Sequence, residues 1–281
     1  MSDGQALAAE YAMSYATLMV YVENTPSRIR LAADLANRLK AGLIGIAARA
    51  TMPVVTDEDV AIDAALLDQE NAGIAAFLDK AGEEFRDATA EYPIPVEWRS
   101  AADDPDEFIA AETRAADLLI VGQTSDAVYR SLEVGRLLLK AGRPVLVAPR
   151  DANSLAVRRV VVAWKDTREA RRAIRDALPV LRLAESVFLV EVCACGAEVN
   201  AVPRLKDVAR FLAQHHITNV TERILPDEPI AGDVLLRFAQ EQSADLIVAG
   251  AYGHSRLGEW FFGGVTHELL SSSPICCLFS H

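Results

Sequence analysis

Residues 244–253 read Ala-Asp-Leu-Ile-Val-Ala-Gly-Ala-Tyr-Gly, and nine residues separate Gly253 from Gly263-Gly264-Val265-Thr266. The apolar run Leu246 to Ala249, between an acidic start and a glycine, has the composition of a parallel strand covered on both faces, where apolar and polar side chains need not alternate. Glycines just beyond such a strand let the main chain approach a ligand closely. If Gly263 and Gly264 open a helix, the amides of Gly264, Val265 and Thr266 point outward without helical partners, and that end carries about half a positive charge. Phosphate is readily held there.

The same grammar occurs once earlier. Ala116-Asp117-Leu118-Leu119-Ile120-Val121-Gly122 precedes Arg143-Pro144-Val145-Leu146-Val147, much as Ala244 to Gly250 precedes Ser273-Pro274-Ile275-Cys276-Cys277. Aligning Gly122 with Gly250 also aligns Gly135 with Gly263, both at an offset of 128 positions. The chain therefore reads as a tandem duplication, with domains at 1–150 and 151–281, each at the common size of a single domain.

Strand-like runs in the second half, Arg159 to Trp164, Ser186 to Val192, Asn219 to Ile224, Leu246 to Ala249 and Ile275 to Phe279, alternate with helix-like stretches at Arg168 to Leu181, Pro203 to His215, Ile230 to Gln242 and Val265 to Ser271. Such alternation implies right-handed crossovers and an α/β fold with helices on both faces of a doubly wound parallel sheet. Ligands then sit beyond the carboxyl ends of the strands, at the switch point, where the loops after Trp164 and Gly250 meet.

Composition narrows the function. About half of the residues are apolar (51%), yet no apolar run approaches the ~20 residues that cross a bilayer, and no basic start resembles an export signal, so a soluble cytoplasmic protein is expected. The net charge is −12, and residues 1–150 carry most of it, with 14 Lys and Arg against 24 Asp and Glu. Bulk charge of that sign excludes coating of nucleic acid or anionic membrane. Arg158, Arg159, Lys165, Arg168, Arg171, Arg172 and Arg175 surround the first strand and helix of the second half. They read as a solvated, ion-paired face, or as a source of one cation, Lys165 or Arg168, for an anionic ligand. Cys193, Cys195, Cys276 and Cys277 lack the spacing of a zinc or redox pair and are expected to be small buried hydrophobes.

The second half resembles the universal stress protein family. The resemblance rests on Gly250, Gly253, Gly263 and Gly264 with Val265-Thr266, on the first strand and loop from Val160 to Ala170, and on the Pro-Ile-Cys-Cys-Leu run that closes the chain. The first half is similar in outline at 16–22, 42–48, 117–122 and 144–148, with Ser125 where Gly253 stands and Arg136 where Gly264 stands. The resemblance implies two Rossmann-like, adenine nucleotide alpha hydrolase-like domains in tandem, pairing through their last strands as an intramolecular pseudo-dimer, with a homodimer as further assembly through apolar edge strands.

It also implies an ATP site in the second half. Ala249, Gly250, Tyr252, Gly253, Gly263, Gly264, Val265 and Thr266 would line it, with Ala163, Trp164 and Lys165 below base and ribose, Val192 over the adenine, His254 within the loop and magnesium accompanying ATP. Two positions depart from the pattern: Lys165 stands where an aspartate is usual, and Gly264 where a hydroxyl residue is usual. Trp164 is the stacking candidate. No Walker lysine loop, nucleophile elbow or zinc-protease helix is present, so turnover is expected to be absent or slow. The expected role is stress sensing through a bound adenine nucleotide; the alternative is a nucleotide-free scaffold or protein-interaction module of the same fold.

Overall fold

The computed structural model describes residues 14–23, 25–51, 64–123, 132–227, 231–252 and 264–281. Chain order in the first half is β1 (Thr17–Tyr21), α1 (Pro26–Leu39), β2 (Gly42–Ala48), α2 (Ala64–Thr89), β3 (Val96–Ala101), α3 (Pro105–Glu112), β4 (Leu118–Gly122), α4 (Val134–Lys140) and β5 (Val145–Ala148). The second half follows as β6 (Arg159–Trp164), α5 (Arg168–Leu181), β7 (Ser186–Cys193), α6 (Glu198–Gln214), β8 (Val220–Pro226), α7 (Ala231–Glu241), β9 (Leu246–Gly250), α8 (Gly264–Ser272) and β10 (Cys276–Ser280).

These strands form one sheet in the order β3-β2-β1-β4-β5-β10-β9-β6-β7-β8. Each half is parallel throughout and has the same order when read from its outer edge. The halves join where β5 meets β10 antiparallel, with Val145, Leu146 and Val147 opposite Phe279, Leu278 and Cys277. Pairing through the last strands is thus as expected. The sheet edges are β3 and β8. These carry Glu97 and Arg99, and Glu222 and Arg223, charges that discourage edge-to-edge pairing.

Apolar strand residues alternate between two buried layers. Val160, Val162 and Trp164 pack with α1, α2, α5 and α6 on one face. Val161, Val190, Ile247 and Ala249 pack with α3, α4, α7 and α8 on the other. Burial on both faces is why these strands read as continuous apolar runs. The aspartate that opens each repeat bonds to main chain. Asp117 Oδ2 accepts from the amides of Ala16 (2.7 Å) and Thr17 (3.1 Å). Asp245 likewise accepts from the amides of Arg158 (3.0 Å) and Arg159 (3.4 Å). Each carboxylate ties the strand it precedes to the first strand of its own half.

Two elements differ from the sequence reading. Helix α6 begins at Glu198 and contains Pro203, which had marked the expected start. Proline removes only its own N–H, which would have bonded the carbonyl of Val199. Val199 is 80% exposed, so water can serve that carbonyl. Of the cysteines, Cys276 and Cys277 are buried as expected, but Cys193 is half-buried at the end of β7 and Cys195 is exposed beyond it.

Candidate functional site

The crevice forms where β6 and β9 lie side by side and their chains depart to opposite faces. Ala163 and Ala249 are the last paired residues of the two strands. From there the chain leaves β6 for α5, on one face, and later leaves β9 for α8, on the other. This is the topological switch point of an open parallel sheet. Because α8 returns the chain to the start of β10, its first residues, Gly264, Val265 and Thr266, lie at the carboxyl edge. Its first turn holds no acidic residue.

Ala163, Val192, Ala249 and Tyr252 belong to the α7 and α8 face, since Ala163, Ala249 and Tyr252 pack with that layer and Val192 lies two residues beyond Val190 on β7. Tyr252 adopts a left-handed φ of 58°. Its ring meets the His281 ring edge-on at 6.2 Å between centroids, and burial pushes its hydroxyl pKa up to about 12. Thr266 is buried, and Lys165 is exposed, its carbonyl accepting from Thr167 N at 2.7 Å in a tight turn. Gly253, His254 and Gly263 lie outside the described residues.

Trp164 is not brought to this group. It faces the α5 and α6 layer, is 7% exposed, and its Nε1 has no hydrogen-bond partner. The alternation along β6 that puts Ala163 on the crevice face puts Trp164 on the opposite one, so its ring packs the core instead of stacking on a ligand. The basic cluster is also largely committed. Arg168 pairs with Glu169, Arg171 with Asp166, and Arg172 donates to the carbonyl of His281. Asp166, the nearest substitute for the missing acid after β6, is thereby engaged.

Gly250 has a different duty from the one its position suggested. A Cβ there would lie 2.6 Å from Ala170 N and 2.7 Å from Glu169 C. The glycine admits the first turn of α5, capped by Thr167, whose hydroxyl accepts from Ala170 N at 3.3 Å. Sequence reading also missed Glu169, which is 3% exposed beside Gly250. Burial raises its pKa, but the Arg168 guanidinium, its own amide and the Thr167 hydroxyl outweigh burial and hold the carboxyl below its ordinary value. Deeper on the α6 side, buried Glu191 stands opposite Trp164 and pairs with Arg204. Nothing in a linear pattern flags these acids, because what buries them comes from other elements.

Register makes the two halves comparable residue by residue. Leu18 pairs with Leu118 in β1 and β4, and Val160 with Leu246 in β6 and β9. With Leu118 equivalent to Leu246, Tyr21 corresponds to Ala163, Glu23 to Lys165, Thr25 to Thr167 and Arg28 to Ala170. The glycines agree, since Gly122 faces Arg28 as Gly250 faces Ala170. A carboxylate does follow the first strand, in the first half, as Glu23. There the end of the last helix is occupied: Asp106 Oδ1 accepts from Glu133 N at 2.9 Å, at the start of α4. The equivalent of Asp106 in the second half is Val234, which is buried.

Comparison with known proteins bears on the half that holds the crevice. Residues 156–280 match the universal stress protein family. This half carries a universal stress protein domain. Among curated proteins, Universal stress protein Slr1230 of Synechocystis sp. is 19% identical over 165 residues, 57% of this chain and 56% of that protein, so the chain spans about half the length of that relative. Among solved structures, a universal stress protein from Archaeoglobus fulgidus superposes with a TM-score of 0.70 at 16% identity, covering 94% of this chain and 97% of the other. A functionally unknown protein, PA1789 from Pseudomonas aeruginosa, gives 0.60 at 17%, covering 96% and 94%. At these identities the likeness is one of fold. The shared fold spans both halves of the sheet.

Proposed function

We propose that the second half binds an adenine nucleotide, ATP foremost, in the crevice between β6 and β9, and that the protein acts in the cytoplasm as a nucleotide-dependent stress sensor with little or no turnover. The observation that carries this reading is the contrast between the two helix ends. At α4 the Asp106 carboxylate already accepts the amide of Glu133, the residue that caps the helix start. At α8 the equivalent position is Val234 and the first turn has no acid, so an external phosphate can take the role that Asp106 fills in the other half. Ala163, Val192, Ala249 and Tyr252 give the adjoining wall for base and ribose; Gly253, His254 and Gly263 would complete the loop, and magnesium would accompany the phosphates.

A second reading, a nucleotide-free scaffold, is favoured by Lys165. That residue offers no acceptor to base or ribose where family members carry an aspartate, and the other tandem half holds its acid, Glu23, beside a crevice that an arginine enters.

Denaturing freshly purified protein and identifying released nucleotide by mass spectrometry, followed by calorimetric titration of ATP into emptied protein, separates the two. The sensor reading expects co-purifying nucleotide or a single saturable site, lost in Gly263→Asp with the circular dichroism spectrum unchanged, because the new carboxylate would face the end of α8. Absence of both nucleotide and heat overturns it and leaves the scaffold.

A further inference from the structure

The crevice of the first half contains an arrangement that the fold does not require. Arg28 stands in the first turn of α1 and is 9% exposed. Its Nη1 donates to Tyr21 O and its Nη2 to Thr25 Oγ1, both at 3.1 Å and both neutral acceptors. Among the described residues no carboxylate comes within 4.0 Å of the guanidinium. A buried cation without an ion-pair partner is unfavourable, and here it also sits at the positive end of a helix.

The local cost extends to the cap. Thr25 is the N-cap of α1 and the equivalent of Thr167, yet it makes no capping bond; its hydroxyl donates to Glu23 O at 2.6 Å and accepts from Arg28. At the same place the second half has Ala170 and a working threonine cap. Alanine therefore satisfies the architecture. Gly122 leaves the room that the guanidinium uses, since a Cβ there would lie 2.7 Å from Arg28 Cζ. The charged groups around it are Glu23, half-buried, and Arg49 at the end of β2, whose guanidinium lies 5.0 Å from the Phe77 ring centroid. Burial lowers the pKa of Arg28, against the raising fields of Glu23 and the Tyr21 hydroxyl, and Arg49 acts on Glu23 and Tyr21. Asp106 also acts on Tyr21, but its Oδ1 is engaged by Glu133 N, and Arg28 itself bonds only to neutral acceptors.

We infer that the switch-point crevice of the first half is a second anion site, in which Arg28 receives a phosphate group through the donors its two neutral partners leave unused. The planar guanidinium fork suits that group. The site differs from the one under α8: it is built on the first helix of its half, and Asp106 blocks the last. A free inorganic phosphate and the phosphate of a nucleotide share the chemistry.

The test is calorimetric titration of inorganic phosphate at constant ionic strength into the full chain, its Gly263→Asp variant, and Arg28→Met and Arg28→Lys, with thermal melting in parallel. One phosphate should bind to Gly263→Asp as to this site of the wild type. Arg28→Met should weaken that binding about tenfold or more, and Arg28→Lys, which keeps the charge and loses the fork, should fall between. Without phosphate, Arg28→Met should melt at or above the wild-type temperature, because an apolar chain of similar length replaces a buried charge whose hydrogen bonds go only to neutral acceptors. Displacement of phosphate from Gly263→Asp by ATP would assign the group to a nucleotide; failure to displace would assign a free anion. A wild type whose melting ignores phosphate, or an Arg28→Met or Arg28→Lys variant with undiminished affinity, overturns the inference.

Discussion

Replacing Glu268 by glutamine should stabilise the protein at alkaline pH and have little effect in acid. Glu268 lies on α8 facing the first turn of α7; a Cβ on Gly232 would come 2.9 Å from its Cδ, so the carboxyl is pressed on bare main chain. Its Oε2 is buried without a hydrogen-bond partner. Burial, followed by the hydrogen bond and charge of Asp233, pushes its pKa from 4.5 up to about 7. The folded protein thus keeps on Glu268 a proton that the unfolded chain releases. The stability this proton contributes is complete below about pH 4.5 and is lost as pH rises through about 7.

A shift of that size corresponds to a ceiling of about 3 kcal/mol, and the partial exposure of Glu268 reduces it to on the order of 1–2 kcal/mol. Glu268→Gln keeps a neutral side chain of the same shape at every pH. Urea unfolding of wild type and variant at about pH 5 and about pH 8 should show near-equal midpoints in acid. In base the variant should lead by about 1–2 kcal/mol, with Asp233→Asn moving the same way. A gap that does not widen with pH, or that favours the wild type in base, would refute the raised pKa of Glu268.

The duplicated glycines should respond unequally to alanine. Gly250→Ala meets main-chain atoms of α5 and should lose about 1–3 kcal/mol of stability by urea unfolding. Gly122→Ala meets only the Arg28 side chain and should lose less, so the reverse order would contradict the packing. Thiol labelling of the native protein at about pH 8 should modify Cys195 first. Cys276 and Cys277, whose thiols burial pushes up to about 12, should react only on unfolding; labelling at the rate of Cys195 would place the strand wrongly.

What the sequence disclosed and what it hid divide along a physical line. Strand β6 and helix α5 were readable to their end residues because an apolar run, the Thr167 cap and an amphipathic pattern all act locally. Strand β3 escaped notice: Val-Glu-Trp-Arg-Ser-Ala lies at the sheet edge, half solvated, and lacks the continuous apolar run of the interior strands. Ala163, Val192 and Ala249, which the family resemblance nominates, fall on one face of the sheet. The burial of Trp164 was not legible, since it turns on which face of β6 each residue takes. Arg28 and Asp106 had no local signature at all; each matters because the fold carries it to a glycine or an amide distant in sequence.

The main-chain bonds between β5 and β10 have a consequence for assembly. Residues 149–158 tether the half that ends in β5 to the half whose last strand is β10, so the two seam strands meet at an effective concentration of about millimolar or above, whatever the amount of protein in solution. Separate chains meeting through such a seam could exchange partners, and like could pair with like. Here that exchange is suppressed, and the half with Arg28 and Asp106 is permanently matched to the half with Ala170 and Val234. Inequality between the two crevices is therefore a stoichiometric property of every molecule, independent of dilution.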